Sequence, residues 1–373
     1  MDQGGVERGV VEMNRVLVRA GHENIVLSAG GRLDAQIAAD GGRVITLDVK
    51  SKNPFTAFSR ARKLRRFLEA ERPDVTVAHS RVPAWLFLLA NRKLHLPWIT
   101  FAHGANSVSA YSKVMTYGDV TVTPSGYIAD YLIENYGIEK SRLRVIPRAI
   151  EREKFDPEKL DETFTAAKRR EWGLDGFKVV MGLGRITQLK GYDVLIRALA
   201  YLHRTHAAAR SRSRDWKLVI VGEAEELRKD YESELRKLVS SLGVESHVVF
   251  AGAQSKVAEC LSLADVVVSA NWRKPEAFGR SMAEALAMGR PVVATAFGGA
   301  LDIVEDGVNG ALVAPNENDT PDERAVKFAN AIRATVHSEF GDLRKSAIDK
   351  FSFDRMAAQS LAVYAEFMKG KVK

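Results

Sequence analysis

The stretch KVVMGLGRITQLKGYDVLIRALAYLHRTH, Lys178 to His206, contains an apolar run, a glycine-rich turn and a helical pattern in immediate succession. The run is continuously apolar, which is typical of a strand buried on both faces of a parallel sheet. The same alternation of strands and helical segments continues through WKLVIVG, HVVFAG, DVVVSAN and PVVATA. The pattern predicts a doubly wound α/β domain.

The first half of the chain repeats this alternation, with strands predicted at ENIVLSAG, RVITLD, DVTVAHS, WITFAHG and DVTVTPS. It opens at a glycine turn and its helix, MDQGGVERGVVEMNRVLVRAGH, without the strand that normally becomes central in such a sheet. We therefore expect either that the gene encodes a further apolar segment upstream of Met1, or that the N-terminal sheet lacks its first, central strand.

Two charged segments interrupt the pattern. REKFDPEKLDETFTAAKRR, near residues 150–170, is interpreted as the linker between two domains. We place the N-terminal domain at residues 1–165 and the C-terminal domain at 166–345, and we expect a helix within 346–373 to cross back to the N-terminal domain. RTHAAARSRSRD, from Arg204 to Asp215, is predicted to form a solvent loop.

The composition excludes several classes of protein. No apolar run approaches the ~20 residues of a membrane-spanning helix. The sequence shows no basic n-region followed by an apolar h-region, so a secretory signal is not expected. Cys260 is the only cysteine, so intrachain disulfides are impossible and a cytoplasmic location is expected. The net charge of +8 fits nucleic acid, anionic lipid or a phosphate-bearing substrate. Because the basic residues are not interleaved with aromatic residues, we expect no nucleic acid partner.

The stretch PEAFGRSMAEALAMGRPVVAT, Pro275 to Thr295, places two carboxylates around a predicted helix N-terminus. The break at Phe278-Gly279 puts Glu276 in the preceding loop and Glu284 about one turn inside the helix. The N–H groups of a helix start suit a phosphate, and flanking carboxylates suit the hydroxyls of a sugar or ribose. The alternative is an ordinary solvated helix face. The stretch favours a sugar nucleotide as ligand.

A second constellation follows the first strand of the C-terminal half, in GLGRITQLKG. Gly182-x-Gly184 lacks the third glycine of a dinucleotide fingerprint, so a nicotinamide cofactor is disfavoured and no cofactor is expected. Arg185 and Lys190 place two cations at the carboxyl edge of the sheet, where ligands of such folds bind. A diphosphate is their expected partner.

The N-terminal half offers glycines and histidines. Gly4 and Gly5 open a helix, so their backbone could approach a phosphate or sugar closely. His103 ends the strand WITFAHG, and His79 ends DVTVAHS. A single histidine is more often structural than catalytic, but the position at a strand's carboxyl end favours a site role for His103. His79 is left unassigned.

Together these motifs resemble the retaining glycosyltransferases of family 4, which have the GT-B fold. The resemblance covers nearly the whole chain and rests on GGVER, AGHE, PDVTVAHS, FAHG, TPSGYIADYLIENYGI, GRITQLKGYDVLI, LVIVGE, the Glu276–Glu284 motif, GRPVVAT and GVNGALV. It implies two Rossmann-like α/β domains facing a central cleft, with the acceptor on the N-terminal side. It also implies that Glu276 contacts the donor sugar's hydroxyls, that Glu284 contacts the ribose, and that His103 lies beside the transferred sugar.

The resemblance further implies how the donor's diphosphate is held. Arg185 and Lys190 would contact it, and the cradle would be completed by backbone amides around Phe278, Gly279 and Arg280. Sugar transfer would proceed with net retention of anomeric configuration. No Asp-x-Asp motif occurs in the chain, so we expect no metal site and metal-independent transfer.

The acceptor and some alternatives stay open. VIPRAIEREKF carries Arg148-Ala149 where the family commonly has Pro-Asn-Gly before the linker, which affects the hinge or the acceptor side. HSRVPAW resembles bacterial surface-glycan enzymes, so a lipid-linked or lipopolysaccharide-core glycan acceptor is predicted. A sugar-nucleotide epimerase, a sugar phosphorylase or a non-catalytic subunit of the same fold remain alternatives.

A basic amphipathic segment, NPFTAFSRARKLRRFLEAER, predicts a helix at residues 54–72. Its apolar stripe and basic residues fit either of two interpretations. The helix packs on its own domain with a solvated basic face, or it docks on anionic lipid at the cytoplasmic face of the inner membrane. The stripe comprises Phe55, Phe58, Ala61, Leu64, Phe67 and Leu68, and the basic residues around it are Arg60, Arg62, Lys63, Arg65 and Arg66.

Overall fold

The computed structural model describes residues 5–209, 214–224 and 229–368. The chain divides into two compact units, of which one comprises the residues up to Arg148 and those from Asp354 onward, and the other runs from Ala149 to Phe353. The first boundary therefore lies at Arg148 and not near residue 165. The chain returns to the first unit at Asp354, within the range 346–373 expected for this return.

Parallel strands form the sheets of both units. The first unit holds a two-stranded sheet, β1-β2, and a separate four-stranded sheet in the order β3-β4-β5-β6. The second unit holds one sheet in the order β12-β11-β10-β7-β8-β9. The strands are β1 Ile25–Ser28, β2 Arg43–Thr46, β3 Thr76–Ala78, β4 Trp98–Phe101, β5 Val120–Thr123, β6 Leu143–Val145, β7 Phe177–Leu183, β8 Asp215–Val221, β9 Val248–Gly252, β10 Val266–Ser269, β11 Val292–Thr295 and β12 Gly310–Val313.

Helices connect the strands, as expected for parallel pairs. They are α1 Gly5–Arg19, α2 Asp34–Ala39, α3 Pro54–Glu71, α4 Arg81–Asn91, α5 Ala110–Lys113, α6 Gly126–Tyr136, α7 Glu162–Glu171, α8 Tyr192–Ala208, α9 Lys229–Leu242, α10 Val257–Ser262, α11 Arg280–Ala287, α12 Ala300–Ile303, α13 Pro321–Val336, α14 Leu343–Phe351 and α15 Phe353–Met368. Among the residues that the structure describes, no helix has the length and apolar character needed to cross a bilayer.

The N-terminal sheet is interrupted where the sequence predicts a missing central strand. β1 and β3 each lie at the edge of their own sheet within the described residues. Leu27 of β1 and Ala78 of β3 nevertheless belong to one apolar cluster with helices α3 and α4. The division into two sheets matches the expectation from the sequence.

The C-terminal sheet is buried on both faces. β7 and β8 pair in register from Phe177–Asp215 to Leu183–Val221. Because alternate residues point to opposite faces, Val179 and Met181 pack in a cluster with α10, α11 and α14, while the other face packs against α8 and α13. This two-sided burial explains the continuous apolar runs in the sequence.

Both charged segments differ from the predictions. The predicted linker contains helix α7, whose start is capped by Asp161 as its carboxylate accepts a hydrogen bond from Phe164 N at 2.9 Å. The predicted loop from Arg204 to Asp215 is helical up to Ala208, and Asp215 is already the first residue of β8, while residues 210–213 lie outside the described residues. Polar composition concealed regular structure in both places because these segments have solvent-facing surfaces.

Helix α3 buries only part of its predicted stripe. Ala61, Leu64 and Leu68 are buried in the N-terminal unit. Phe55 and Phe58, at the start of the helix, are 93% and 80% exposed. The two phenylalanines are therefore exposed to solvent and do not belong to the core.

Candidate active site

The turn after β7 is held tightly against the end of β10. Gly191, just before α8, has a left-handed backbone with φ of 65°, and a Cβ at this position would lie 1.9 Å from the carbonyl oxygen of Ala270. Only glycine fits there without a shift of the backbone. Lys190 is the last residue of the 3₁₀ turn that precedes it. The close packing therefore carries Lys190 to the residues that follow β10.

Lys190 and Glu276 meet directly at this edge of the sheet. Lys190 Nζ donates a hydrogen bond to Glu276 Oε1 and forms an ion pair with it. Asn271 Nδ2 donates to the same oxygen at 3.0 Å, and Ser269 Oγ donates to Asn271 Oδ1 at 3.1 Å. The side chains of Lys190 and Glu276 are 24% and 23% exposed. A carboxylate fixed in this way lies at the carboxyl edge of the sheet within reach of a ligand.

The Tyr192 hydroxyl holds the glycine-containing turn after β7 in place. Its hydroxyl donates to the carbonyl oxygen of Gly184 at 2.7 Å. A Cβ on Gly222 would lie 2.0 Å from that same oxygen, so the turns after β7 and β8 are in close contact. Burial, with the negative charge of Glu276, raises the pKa of the Tyr192 phenol. Tyr192 therefore stays protonated and acts as a hydrogen-bond donor. Arg185 lies on the same turn, with its side chain exposed.

The loop before α11 is locked by two later glycines. Gly299 N donates to the carbonyl oxygen of Glu276 at 2.8 Å. A Cβ on Gly299 would lie 2.2 Å from the carbonyl oxygen of Phe278, and a Cβ on Gly298 would lie 2.7 Å from that of Glu276. The Phe278 ring is buried edge-on against Phe351, with centroids 5.5 Å apart. Phe278 therefore contributes its backbone to this edge, and its side chain belongs to the core.

Helix α11 begins where the sequence predicts. Gly279, with φ of 104°, is its N-cap residue, and Arg280 is its first residue. Glu284 is half-buried one turn inside the helix, while Met282 and Ala283 face the core. The N-terminus of α11 directly follows the Glu276 loop, so the partial positive charge of the helix end and the Glu276 carboxylate are neighbours in the sequence.

In the N-terminal unit, His103 is part of a chain of polar contacts. Arg148 Nη2 lies 2.6 Å from His103 Nδ1, and His103 Nε2 lies 3.1 Å from His79 Nδ1. Because a guanidinium only donates hydrogen bonds, we assign the His103 proton to Nε2, from which it is donated to His79. The Arg148 guanidinium also lies against α1, where a Cβ on Gly9 would be 2.0 Å from its Nη1.

Both histidines are neutral in this arrangement. Burial, followed by the positive charge of Arg148, lowers the pKa of His79 to about 3. The same causes, with a smaller contribution from His79, lower the pKa of His103 well below its usual range. Neither imidazole can therefore act as a cation at neutral pH. Of the predicted glycines, Gly5 is the first residue of α1, and Gly4 lies outside the described residues.

Several residues at these positions were not assigned from the sequence. Asn271 is the second residue after β10. A polar residue just after the carboxyl end of a buried strand is a sequence signal for a site residue in such folds. Gly298 and Gly299 form a double glycine after β11, which signals close packing of backbone. Arg148 is noticeable in the sequence only as a departure from the family's usual Pro-Asn-Gly.

Comparisons with known proteins bear on both units. A family model described as Glycosyltransferase Family 4 matches residues 3–154, and one described as Glycosyl transferases group 1 matches residues 164–348. A D-inositol 3-phosphate glycosyltransferase from Acidothermus cellulolyticus is 37% identical over 204 residues, which are 54% of this chain and 44% of the relative. The chain thus spans less than half the length of that curated relative.

Solved structures are similar over the whole chain. A glycosyltransferase from Rickettsia africae has a TM-score of 0.83 and 26% identity, over 100% of this chain and 98% of that one. Anabaena HepE, solved in complex with UDP, has a TM-score of 0.79 and 22% identity, over 98% of each chain. These similarities confirm the GT-B fold predicted from the sequence.

Proposed function

We propose that this chain transfers a sugar from a nucleoside-diphosphate sugar to a hydroxyl acceptor. The chain belongs to the glycosyltransferases that the two family models describe. The observation that carries the proposal is the contact of Lys190 and Asn271 with Glu276, immediately before the N-terminus of α11. A cation, a carboxylate and a helix N-terminus at one sheet edge are the groups that a diphosphate and a sugar require.

In the proposed reaction, the bond between the anomeric carbon and the diphosphate breaks, and the nucleoside diphosphate leaves with the bonding electrons. Lys190, Arg185 and the N-terminus of α11 stabilise the charge that develops on it, which is usually the largest catalytic contribution. Glu276 holds hydroxyls of the transferred sugar, and Glu284 holds the ribose. The acceptor hydroxyl attacks the face from which the diphosphate departs and passes its proton to the departing diphosphate oxygen, so the configuration is retained. These cations supply the charge without a divalent metal at the diphosphate.

A bound diphosphate would compete with Glu276 for Lys190. The ion pair is partly exposed, so its exchange for a phosphate costs little. Donor binding therefore leaves Glu276 held by Asn271 and available to the sugar. The role of His103 beside the transferred sugar stays a prediction.

Binding of the donor can be tested by screening UDP-, GDP- and ADP-sugars for protection against thermal unfolding. A ligand that binds only the native state raises its stability, by about 2.7 kcal/mol at a hundred times Kd. We expect one nucleotide series to protect the wild type and to protect a Lys190→Met variant less. Absence of protection by every nucleotide sugar would count against the proposal.

For the acceptor, we propose a lipid-linked or lipopolysaccharide-core glycan reached at the cytoplasmic face of a membrane. Support comes from α3, where the exposed Phe55 and Phe58 precede the exposed basic residues Arg62, Lys63 and Arg66. Aromatic side chains with nearby cations suit an anionic lipid surface. The relative named for D-inositol 3-phosphate makes a phosphorylated polyol the second candidate.

Two of the basic residues on α3 have structural roles and do not belong to this surface. Arg60 Nη2 donates to the carbonyl oxygen of Asn53 at 2.9 Å. Arg65 donates to the carbonyl oxygens of Ala90 and Leu89 at 2.9 and 3.0 Å. Replacing either would disturb the fold, so only the exposed basic residues are suitable for a membrane test.

Sedimentation with phosphatidylglycerol vesicles tests the lipid surface. Arg62→Glu/Arg66→Glu removes two cations, each worth about 1 kcal/mol near an anionic surface, so binding should fall at least about 30-fold. Arg92→Glu/Lys93→Glu makes the same charge change at exposed positions of the same unit and should bind more like the wild type. Equal recovery of the wild type and both variants would contradict membrane docking, whichever acceptor is used.

A further inference from the structure

Three histidines and an aspartate meet at the amino edge of the C-terminal sheet, in a group that we call the histidine cluster: His203, His206, Asp215 and His247. Asp215 is the first residue of β8, and His247 ends the 3₁₀ turn just before β9. His203 and His206 are three residues apart near the end of α8, so they share one helix face. Two elements, α8 and the turn before β9, thus direct imidazoles at the carboxylate that β8 supplies.

Two of the distances to Asp215 in the histidine cluster are close to those between ligands of one metal ion, and the third is a hydrogen bond that His203 Nδ1 donates. Asp215 Oδ2 lies 2.8 Å from His203 Nδ1 and 3.3 Å from His247 Nε2, and Asp215 Oδ1 lies 3.5 Å from His206 Nδ1. One ligand atom from each of His203, Asp215 and His247 can be chosen so that all lie within 4.8 Å of one another. Zinc bonds of about 2.0–2.2 Å at tetrahedral angles put neighbouring ligand atoms about 3.4 Å apart. Small side-chain movements would bring these groups onto one ion.

The environment also suits a metal ion. The cluster side chains are between 14% and 29% exposed, so an ion could enter and would still be largely shielded from water. The rings of His203 and His247 lie 4.1 Å apart. Imidazole with one carboxylate is a donor set found in zinc sites. Asp215 Oδ1 already accepts a hydrogen bond from Trp216 N at 2.7 Å, and the three imidazoles converge on the same carboxylate.

We propose that His203, Asp215 and His247 of the histidine cluster bind one Zn²⁺ ion. The ion joins α8, β8 and the turn before β9, and it therefore stabilises the C-terminal unit. It takes no part in the donor site, because β8 is seven residues long and separates Asp215 from the carboxyl edge of the sheet by about 20 Å.

The test uses the full chain without a polyhistidine tag, dialysed against Zn²⁺ and analysed for bound metal. We expect one zinc per chain in the wild type and in His22→Ala, a control in the other unit. His203→Ala/His247→Ala should bind zinc at least about 10-fold more weakly, since even loss of supporting contacts around a metal has such effects. Zinc should raise the melting temperature of the wild type and the control, but not that of the double variant.

Asp215→Asn, which keeps the side chain's size, provides the same test if the double variant does not fold. Wild-type protein that retains no zinc, or variants that bind it as tightly as the wild type, would overturn the proposal. Chelation of zinc should leave nucleotide-sugar protection at the donor site present, whereas its loss on chelation would contradict the separation of the two sites.

Discussion

Replacing Glu276 with alanine is expected to weaken binding of the intact sugar nucleotide without weakening binding of the bare nucleoside diphosphate. Glu276 is assigned to the sugar, so the variant loses one charge-assisted hydrogen bond to the donor, worth about 1.5–3 kcal/mol. This corresponds to a loss of roughly 10- to 100-fold in donor affinity. Asn271 and Lys190 lose their shared acceptor, Glu276 Oε1.

Removal of Glu276 should affect the affinities for the donor and for the bare nucleoside diphosphate differently, because it frees Lys190. Without Glu276 its ammonium group stays available to the diphosphate, so affinity for the bare nucleotide should be unchanged or slightly higher. Because the two side chains are largely buried and Asn271 Nδ2 also loses its acceptor, the variant should lose about 1–3 kcal/mol in the free energy of unfolding. Glu276→Gln, which keeps an oxygen for Asn271, controls for the shape of the loop.

Glu284→Ala is the complementary perturbation. If Glu284 holds the ribose, this variant should lose roughly 10- to 100-fold in affinity for the nucleoside diphosphate and for the donor alike. Isothermal titration of both variants with each ligand provides the measurement. Equal losses of affinity for the bare nucleotide in Glu276→Ala and Glu284→Ala would refute the assignment of the sugar to one carboxylate and the ribose to the other.

Three further outcomes are expected. His79 and His103 have pKa values in the folded protein below the ordinary 6.5, so the unfolded chain binds more protons than the folded one below that pH. As the pH falls from about 6.5 to 5, the free energy of unfolding should therefore fall by up to ~1.4 kcal/mol per pH unit for each histidine. Urea unfolding at each pH measures this. Arg148→Gln removes a positive charge, so the His103 pKa should rise in an NMR titration. Gly299→Ala forces a Cβ against Phe278 O and should cost about 1–3 kcal/mol in thermal unfolding, with weaker donor binding.

Each of these outcomes has a control. Gly341→Ala adds a Cβ with nothing within 4 Å, and it should leave both stability and donor binding unchanged. Arg152→Gln removes an exposed charge and should not move the His103 pKa. If His79→Gln shows the same loss of stability between about pH 6.5 and 5 as the wild type, His79 is not the titrating group.

Ten of the strands follow from apolar runs in the sequence, and four of these, β1, β2, β3 and β9, lie at sheet edges. Burial on both faces explains the continuous runs of the central strands. Two further edge strands were not predicted: β6, LRV, contains a charged residue, and β12, GALV, is short and begins with glycine. Helix α7 has no buried residue, so its charges looked like those of a linker.

Site residues could be predicted where the local sequence determines the backbone conformation. Contacts between residues far apart in the sequence could not be predicted. The start of α11 after Gly279 follows from local sequence. Lys190 and Glu276 are 86 residues apart, and their pairing depends on which strand ends are neighbours. The histidine cluster was missed because Arg204 to Asp215 was interpreted as a loop, although His206 and Asp215 lie within that stretch.

The central claim, retaining sugar transfer, is tested most directly by NMR analysis of the product. The wild type is incubated with the sugar nucleotide that protects it and with a hydroxyl-bearing glycan acceptor. We predict one glycoside per nucleoside diphosphate released, with the donor's anomeric configuration, and strongly reduced formation by Lys190→Met. An inverted glycoside would contradict retention, whereas an epimerised sugar nucleotide, a sugar phosphate or no glycoside at all would contradict transfer itself.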